Sequence, residues 1–290
     1  TLVLAGRRDV TIGAGVTFDV SGESGTSTSG GKGGPGAEGG LRGSVFTSNP
    51  PGSSRGNGGI IEQDGVGMGA SPAYLSPTVG SKPGGAGYAT QGQSSSGSAG
   101  VAYGDQFLHD LYGGSGGGAA KSNHPIYAGG GGGGGAIQIA AGRTLRFFGQ
   151  IDASGGAGYR ESSYVIGGSG SGGGILLAGQ EVILNTHTLL DVSGGDVDTG
   201  DGSGGRIAIY GMVTGIGQAA ILGVDGSNVP NRGTLRYYGD GGAGDLRFPS
   251  GWVYDPAGLD TDGDGIPDAD DLDDDNDGMS DADEAVAGTD

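Results

Sequence analysis

The chain lacks cysteine entirely, and it has few aromatic and few basic residues. Without cysteine it forms no disulfide. Aromatic residues make up 6% of the 290 positions, and no apolar run approaches the ~20 residues of a membrane-spanning helix. Lys and Arg together number 14 against 33 acidic residues, with no strongly basic stretch of the kind that binds nucleic acid. We therefore expect no membrane span and no nucleic-acid partner.

Glycine is abundant instead, at 74 of the 290 positions. It follows no strict three-residue repeat, which excludes a collagen triple helix, and such a composition ordinarily indicates low complexity or disorder. Short apolar stretches recur between the glycines, however. These stretches predict ordered structure.

Four stretches share an alternation of apolar residues that is interrupted by glycine, at residues 2–22, 136–156, 175–195 and 206–227. The first three close on Asp-X-Ser-Gly at Asp19, Asp152 and Asp191, and Asp225-Gly-Ser takes this place in the fourth. Apolar alternation between glycine turns is typical of short β-strands. Repeats of 20 to 50 residues indicate a solenoid, whose units bury their apolar edges only by stacking on one another.

The predicted fold is all-β: a right-handed parallel β-helix, or solenoid, with a long glycine-rich insertion and a C-terminal calcium-binding segment. The solenoid body covers residues 1–254 and its insertion residues 23–135, and the segment covers residues 255–290. Coils with glycine-rich approaches, such as GSGSGGGILL and GDGSGGRIAIYG, resemble secreted glycine-rich β-helix proteins of environmental bacteria. That resemblance covers residues 128–228.

The repeated Asp and Ser have two interpretations. Both side chains readily bond to nearby backbone and hold tight corners, so that stacked copies would form a polar ladder along one edge. Parallel β-helices also host polysaccharide lyases and glycoside hydrolases, which need clustered carboxylates or a basic residue beside calcium. The catalytic alternative requires Asp152, Asp191 and Asp225 to line one groove near an arginine. We favour the corner role, and we expect no catalytic residues.

The insertion at residues 23–135 contains GGKGGPGAEGG and the seven-glycine run 129–135. It could be a flexible linker, a set of packed loops, or a bundle of polyproline-II-like glycine strands that hydrogen-bond to one another. Similar glycine sandwiches occur in some phage adhesins. Because a buried backbone needs hydrogen-bond partners, we favour packed loops together with glycine strands.

Six aromatic residues are scattered through the insertion and could either stack on a sugar or pin a glycine-rich loop. The second role is the commoner one, and we favour it for Tyr74, Tyr88, Tyr103, Phe107, Tyr112 and Tyr127.

The segment from Asp255 onward holds fifteen acidic residues and no Lys or Arg, within a formal net charge of −19 for the chain. Two units repeat there, with acidic residues at positions 1, 3, 5, 9 and 12, glycine at position 6 and a backbone carbonyl available at position 7. This spacing wraps oxygen ligands around a cation of calcium size. The first unit supplies Asp260, Asp262, Asp264, Ile266, Asp268 and Asp271, and the second supplies Asp273, Asp275, Asp277, Met279, Asp281 and Glu284.

These two units resemble the thrombospondin type 3 calcium repeat, which is common in secreted bacterial proteins. The resemblance implies bound Ca²⁺ on both units. The animal repeats are disulfide-linked, and the lack of cysteine here leaves calcium alone to hold the segment. The alternative is a solvated acidic tail, but such a tail would not keep glycine at position 6 of both units.

Calcium binding of this kind predicts an extracellular protein. Extracellular calcium modules bind Ca²⁺ with dissociation constants of about 10⁻⁴ to 10⁻³ M. Such sites fill in an environment with millimolar calcium and would not fill in a cytosol. A start at Thr1 without methionine fits removal of a signal segment. We therefore expect a secreted protein at the cell surface.

The predicted function is structural rather than enzymatic. A solenoid has unpaired strand edges at its ends, and the chain begins on strand-like residues 2–4 without a cap. We expect a calcium-stabilised subunit of a self-assembling filament, a head-to-tail homo-oligomer. An adhesin or glycan-binding module, with a polysaccharide or a cell surface as partner, is the alternative, and a carbohydrate-active enzyme is less favoured.

Overall fold

The computed structural model describes residues 2–27, 29–35, 68–71, 74–75, 82–95, 98–108, 110–121, 127–197, 199–224 and 233–238. Within these ranges the chain forms fourteen β-strands, one 3₁₀ turn at Ile216–Gln218 and no α-helix. In the same ranges there is no helix that is long and apolar enough to cross a membrane.

The largest sheet places the first strands of the four predicted copies side by side in chain order and adds β14 after them. Its strands run parallel in the order β1 (Leu2–Gly6), β7 (Ala136–Ala141), β10 (Gly174–Leu184), β12 (Arg206–Thr214) and β14 (Thr234–Tyr238). Equivalent apolar residues are in register from strand to strand, namely Leu4, Ile139, Leu177 and Ile209. The predicted all-β class and its parallel strands are confirmed.

Each copy continues past a corner into further strands. In the same sheet β2 (Val10–Ile12) pairs with β8 (Thr144–Phe147), which pairs with the second half of β10. A second parallel sheet has the order β13 (Ala220–Leu222), β11 (Leu189–Asp191), β9 (Gln150–Asp152) and β3 (Thr17–Asp19). Here too the apolar residues are in register, as Phe18, Ile151, Leu190 and Ile221.

The main apolar core lies between these two sheets. Val, Ile, Leu and Phe side chains of alternate positions fill it, and most are fully buried. Burying one such side chain contributes about 1.5–3 kcal/mol. The alternation seen in the sequence therefore places about every second residue of the strands of these two sheets in this core.

The corners between successive strands depend on glycine in the later copies. In β10 the register shifts between Ala178 and Glu181. Gly211 occupies the corresponding corner of β12 with a φ of 119°, and a Cβ there would lie 1.9 Å from the carbonyl oxygen of Gly179. Only glycine accepts both this conformation and this approach.

The described part of the insertion forms a layer of extended glycine segments that bond to one another. In the run 129–135 the N–H groups of Gly129, Gly132 and Gly135 donate to the carbonyls of Thr26, Glu23 and Val20, with N···O distances of 2.9, 2.9 and 2.6 Å. The interval of three residues is that of the polyproline II helix. The run also bonds to the four segments that contain Gly31, Gly117, Gly156 and Gly168.

Side chains cannot be accommodated in this layer. A Cβ added at any residue of the run 129–135 would lie 1.9 to 2.1 Å from a backbone carbonyl oxygen of a neighbouring segment. The seven glycines are therefore required by close approach of backbones on several sides.

A small third sheet borders the layer and consists of β4 (Tyr74–Leu75), β5 (Ala120–Lys121) and β6 (Tyr127–Ala128).

Another part of the insertion covers the outer face of the large sheet. Side chains from residues 88–112, including Tyr88 and Leu108, pack on the outward residues of β7, β10 and β12, which include Leu176 and Tyr210. The central strands are consequently buried on both faces.

Candidate functional site

The predicted calcium ligands, Asp260 through Glu284, lie outside the described residues. Their assignment to calcium stays a prediction. Within the described ranges, no group of three or more His, Cys, Asp or Glu side chains is arranged to hold a metal ion.

The repeated Asp and Ser form a ladder at the ends of β3, β9 and β11. Asp152 is in register with both Asp19 and Asp191. In each copy the carboxylate accepts a hydrogen bond from the backbone N–H of the serine two residues later, with N···Oδ1 distances of 3.0 Å at Asp19, 2.9 Å at Asp152 and 2.8 Å at Asp191. The predicted corner role is confirmed for these three aspartates.

The fourth copy departs from the sequence alignment. Leu222, not Asp225, is in register with Asp191, and Asp225 lies outside the described residues. In the described part of the chain, none of the three ladder carboxylates bonds to a basic side chain.

Three tyrosines of the insertion form a cluster, which we call the tyrosine cluster: Tyr88, Tyr103 and Tyr112. The rings of Tyr88 and Tyr103 lie 4.7 Å apart between centroids, and those of Tyr103 and Tyr112 lie 6.1 Å apart, edge to face. The Tyr88 hydroxyl donates to the carbonyl of Tyr112 over 3.1 Å. Burial, the larger effect, and the neighbouring Tyr103 raise the pKa of Tyr88 well above its ordinary value.

Arg206 of β12 is buried against this cluster, at 6% exposure. Its guanidinium lies over the Tyr88 ring, with 5.2 Å from Cζ to the centroid. Its NH2 group donates to the carbonyls of Tyr88 and Tyr103 over 3.3 and 2.8 Å, while its Nε has no hydrogen-bond partner. The arginine thus fastens the insertion to the sheet, a role that sequence reasoning missed. The only sequence feature that indicates this role is the position of a charged residue at the start of the apolar stretch RIAIY.

The cluster decides between the two interpretations for its own members. Tyr88 is fully buried, and Tyr103 and Tyr112 are at most half-exposed. Rings packed in this way pin a loop, the role favoured from the sequence. Phe107 remains 38% exposed, and the side chains of Tyr74 and Tyr127 lie outside the description.

Buried serines are a second feature that sequence reasoning missed. Within the glycine layer, Ser71, Ser115, Ser171 and Ser203 are fully buried. Each hydroxyl oxygen accepts a hydrogen bond from a backbone N–H of another segment, for example Ser171 from Ser115 and Ser203 from Tyr88, both over 2.8 Å. The only sequence feature that indicates such a buried hydroxyl is a serine within a glycine-rich stretch.

One corner of the first two copies carries four arginines, and we call it the basic corner: Arg7, Arg8, Arg143 and Arg146. Asp9 lies among them. Its Oδ1 accepts from the backbone N–H of Thr144 over 3.0 Å and from Arg143 Nε over 3.3 Å, and its Oδ2 lies 3.4 Å from Arg146 NH1. Burial opposes ionisation of Asp9, but these donors outweigh it and hold the pKa of Asp9 below its usual value.

The same end of the molecule presents an open strand edge. Among the described residues, no strand pairs with the outer edge of β1, β2 or β3. Leu2 and Val3 of β1 are 37% and 41% exposed. An edge strand with apolar side chains and unpaired backbone groups is a template for strand addition.

Comparison with known proteins gives no relative: no protein-family model, no curated protein and no solved structure matches this chain.

Proposed function

We propose that this chain is an extracellular structural protein, a calcium-stabilised subunit that assembles head to tail into a filament at the cell surface. In this proposal the two parallel sheets are faces of one right-handed parallel β-helix. The right hand follows from the strong preference for right-handed connections between parallel strands of a sheet. The glycine layer and the loops of the insertion pack on its flank.

The open edge of β1 is the observation that carries the proposal. The strands of the large sheet follow chain order, so β1 lies at one end of the strand order and β14 at the other. A second copy placed with β14, its last described strand, beside β1 would continue the sheet with the same parallel register. Such a contact joins two different surfaces and, where its rotation does not close a ring, produces a filament.

Calcium would stiffen the acidic segment at the joint. The predicted ligands are all oxygens, from ten carboxylates and from the carbonyls of Ile266 and Met279, and this donor set suits Ca²⁺. Bound cations would offset the repulsion among fifteen acidic residues and let the segment fold.

Electron microscopy of the full chain tests the proposal. In about 1 mM Ca²⁺, within the range in which extracellular modules fill, we expect filaments, and we expect them to disassemble when a chelator is added. Mg²⁺ at equal concentration controls for ionic strength and should not restore them. Discrete monomers with and without calcium would reject the filament.

A glycan-binding adhesin is a second candidate, and one observation favours it. Tyr164 lies in the short turn closed by the Arg160–Ile166 bridge and is 65% exposed, and a ring presented in this way could stack on a sugar. Binding to a polysaccharide array that is lost in Tyr164→Ala and kept in Val101→Ala would support this function. Val101 is an exposed, non-aromatic control at 57%.

A further inference from the structure

We propose that Arg206 and Thr234 bind a chloride ion between the large sheet and the insertion. This site goes beyond the proposed filament and does not depend on it. Its two side chains belong to neighbouring strands, because Arg206 begins β12, Thr234 begins β14, and the two residues are directly in register. In-register residues of adjacent strands point to the same face, about 4.8 Å apart.

The face that the two residues share is the outer one, which the insertion covers. Ala208, two residues after Arg206, lies in one buried cluster with side chains of the insertion. Arg236, two residues after Thr234, donates to Gln106 of the insertion over 3.0 Å. Because alternate residues of a strand lie on the same face, Arg206 and Thr234 both point towards the insertion.

Each of the two side chains has a buried polar atom without a hydrogen-bond partner, namely Nε of Arg206 and Oγ1 of Thr234. In the described part of the chain, they are the only such atoms on residues that pair with each other in a sheet. Buried polar groups are nearly always hydrogen-bonded. The guanidinium Nε–H can only donate, and a threonine hydroxyl can donate too, so one acceptor between the strands would satisfy both.

The charge of Arg206 favours an anion as that acceptor. The residue is 6% exposed, and its NH2 group donates to neutral groups, the carbonyls of Tyr88, Tyr103 and Gly104. A buried charge is ordinarily paired with an opposite charge. An anion on Nε would provide the hydrogen bond and also offset the charge, whereas a water molecule would do only the first.

Chloride fits these two donors by its size and its chemistry. It is monatomic and accepts hydrogen bonds from any direction, so it suits donors that two different strands hold in place. The bound ion would join β14 to the arginine that already bonds to the insertion. Attachment of the insertion to the sheet should therefore strengthen as the chloride concentration rises.

Thermal unfolding of the full chain in sodium chloride and in sodium methanesulfonate tests this dependence, at constant ionic strength and constant calcium. The Tm should rise with chloride concentration, because a ligand that binds only the folded state stabilises it by mass action. Line broadening of the chloride NMR signal by the folded protein measures binding directly. A Tm that is the same in the two salts, without line broadening, would reject the site.

Variants of the two residues locate the effect. Thr234→Val removes the hydroxyl at nearly constant size and should weaken chloride binding by about tenfold, the equivalent of one hydrogen bond to a charged group. Thr234→Ser keeps a hydroxyl and should retain most of the binding. Arg206→Met should abolish the chloride dependence. Thr214→Val alters an exposed threonine of β12 and is the control, which should respond to chloride as the unaltered chain does.

Equal chloride binding by Thr234→Val and Thr214→Val would overturn the assignment even if Arg206→Met fails to fold. Crystals grown in bromide give a second readout, since bromide replaces chloride and scatters anomalously. We expect an anomalous peak between Nε of Arg206 and Oγ1 of Thr234. Peaks confined to surface arginines would mean an adventitious ion only, and density without anomalous signal at the site would mean water. Either result rejects the inference.

Failure of this inference is distinguishable from failure of the proposed function. Chloride binding is measured on single chains, and filaments are seen by electron microscopy. Filaments without chloride binding would leave the proposed function in place and reject the chloride site. Chloride binding by a chain that stays monomeric in calcium would support the site and reject the filament.

Discussion

Gly132 shows how strictly single residues are specified in the glycine layer. A Cβ at this position would lie 2.0 Å from the carbonyl oxygen of Lys32, and that carbonyl belongs to the backbone, so it cannot turn away. Gly132→Ala should lower the free energy of unfolding by about 1–3 kcal/mol or more, the usual cost of overpacking. Urea unfolding at equilibrium measures the loss.

Gly217→Ala is the matched control for this prediction. Gly217 lies in the 3₁₀ turn with nothing within 4 Å of an added Cβ, so its replacement should leave stability nearly unchanged. Equal stability of the two variants would show that the layer adjusts to side chains.

Asp19 makes the stability of the fold depend on pH. Hydrogen bonds from the side chain and then the backbone N–H of Ser21 hold the pKa of Asp19 below its usual value of 3.8. Such a carboxyl stabilises the fold at pH values above its unfolded-state pKa. The stabilisation is lost as the pH falls through its lower, folded-state pKa. Asp19→Ala should lower Tm at pH 7, and its Tm should approach that of the wild type as the pH falls and the native carboxyl is protonated too.

Thermal unfolding from pH 7 to the acid range checks this dependence. Glu161→Ala removes an exposed carboxylate from a loop and serves as the control. A Tm difference between Asp19→Ala and the wild type that stays constant across the range would contradict the assigned role of the Ser21 hydrogen bonds.

At the scale of elements, Arg206 fastens the insertion to the large sheet. Arg206→Met would leave the carbonyl of Tyr103 without its buried donor, and an unsatisfied buried group costs about 1–3 kcal/mol. The carbonyl of Tyr88 would lose one of two donors and keep the N–H of Tyr103, at 3.0 Å. We expect lower stability and faster proteolysis within residues 98–112. Limited proteolysis with mass spectrometry measures the second effect.

Arg236→Met provides the comparison, because Arg236 lies on the next strand, is exposed and bonds to Gln106. It should change proteolysis of the loop far less than Arg206→Met does. Equal rates for the two variants would mean that the buried guanidinium does not hold the loop.

The strands were predictable because each carries a local signal. Alternating apolar residues around Leu4, Ile139 and Leu177 predicted that the copies would stack, and their in-register pairing confirms it. Alternation could not predict what covers the outer face, because Leu176 and Leu177 are both buried. A continuous apolar run indicates that a strand is buried on both faces, but it does not indicate which part of the chain covers the second face. Here residues 88–112, which are remote in sequence, cover it.

Long-range contacts explain the other parts that sequence reasoning missed. The bond from Tyr88 N–H to Ser203 Oγ joins residues 115 positions apart, and nothing local to either residue marks it. The fourth copy was misaligned for a related reason, because Asp225-Gly-Ser matched the motif while pairing places Leu222 opposite Asp191. Similarity of a motif does not fix strand register.

For the whole molecule, the acidic segment sets the dependence on calcium. Isothermal titration should show at least two Ca²⁺ bound at about 10⁻⁴ to 10⁻³ M. Asp262→Asn should remove or weaken one site, since Asp262 holds position 3 of the first unit. Asp270→Asn removes a charge outside the ligand pattern and should keep both sites. Equal binding by the two variants would reject the ligand assignment.

The glycine layer has a consequence for how this protein responds to temperature. Its buried interior consists largely of peptide groups bonded to peptide groups, with few carbon side chains. Hydration of exposed apolar surface raises the heat capacity of unfolding, and hydration of exposed polar surface lowers it. We therefore expect scanning calorimetry to give a heat-capacity increment below the usual ~12–15 cal/mol/K per residue. A small heat-capacity increment flattens the curve of unfolding free energy against temperature. The stability of the fold should therefore change little between low and moderate temperatures.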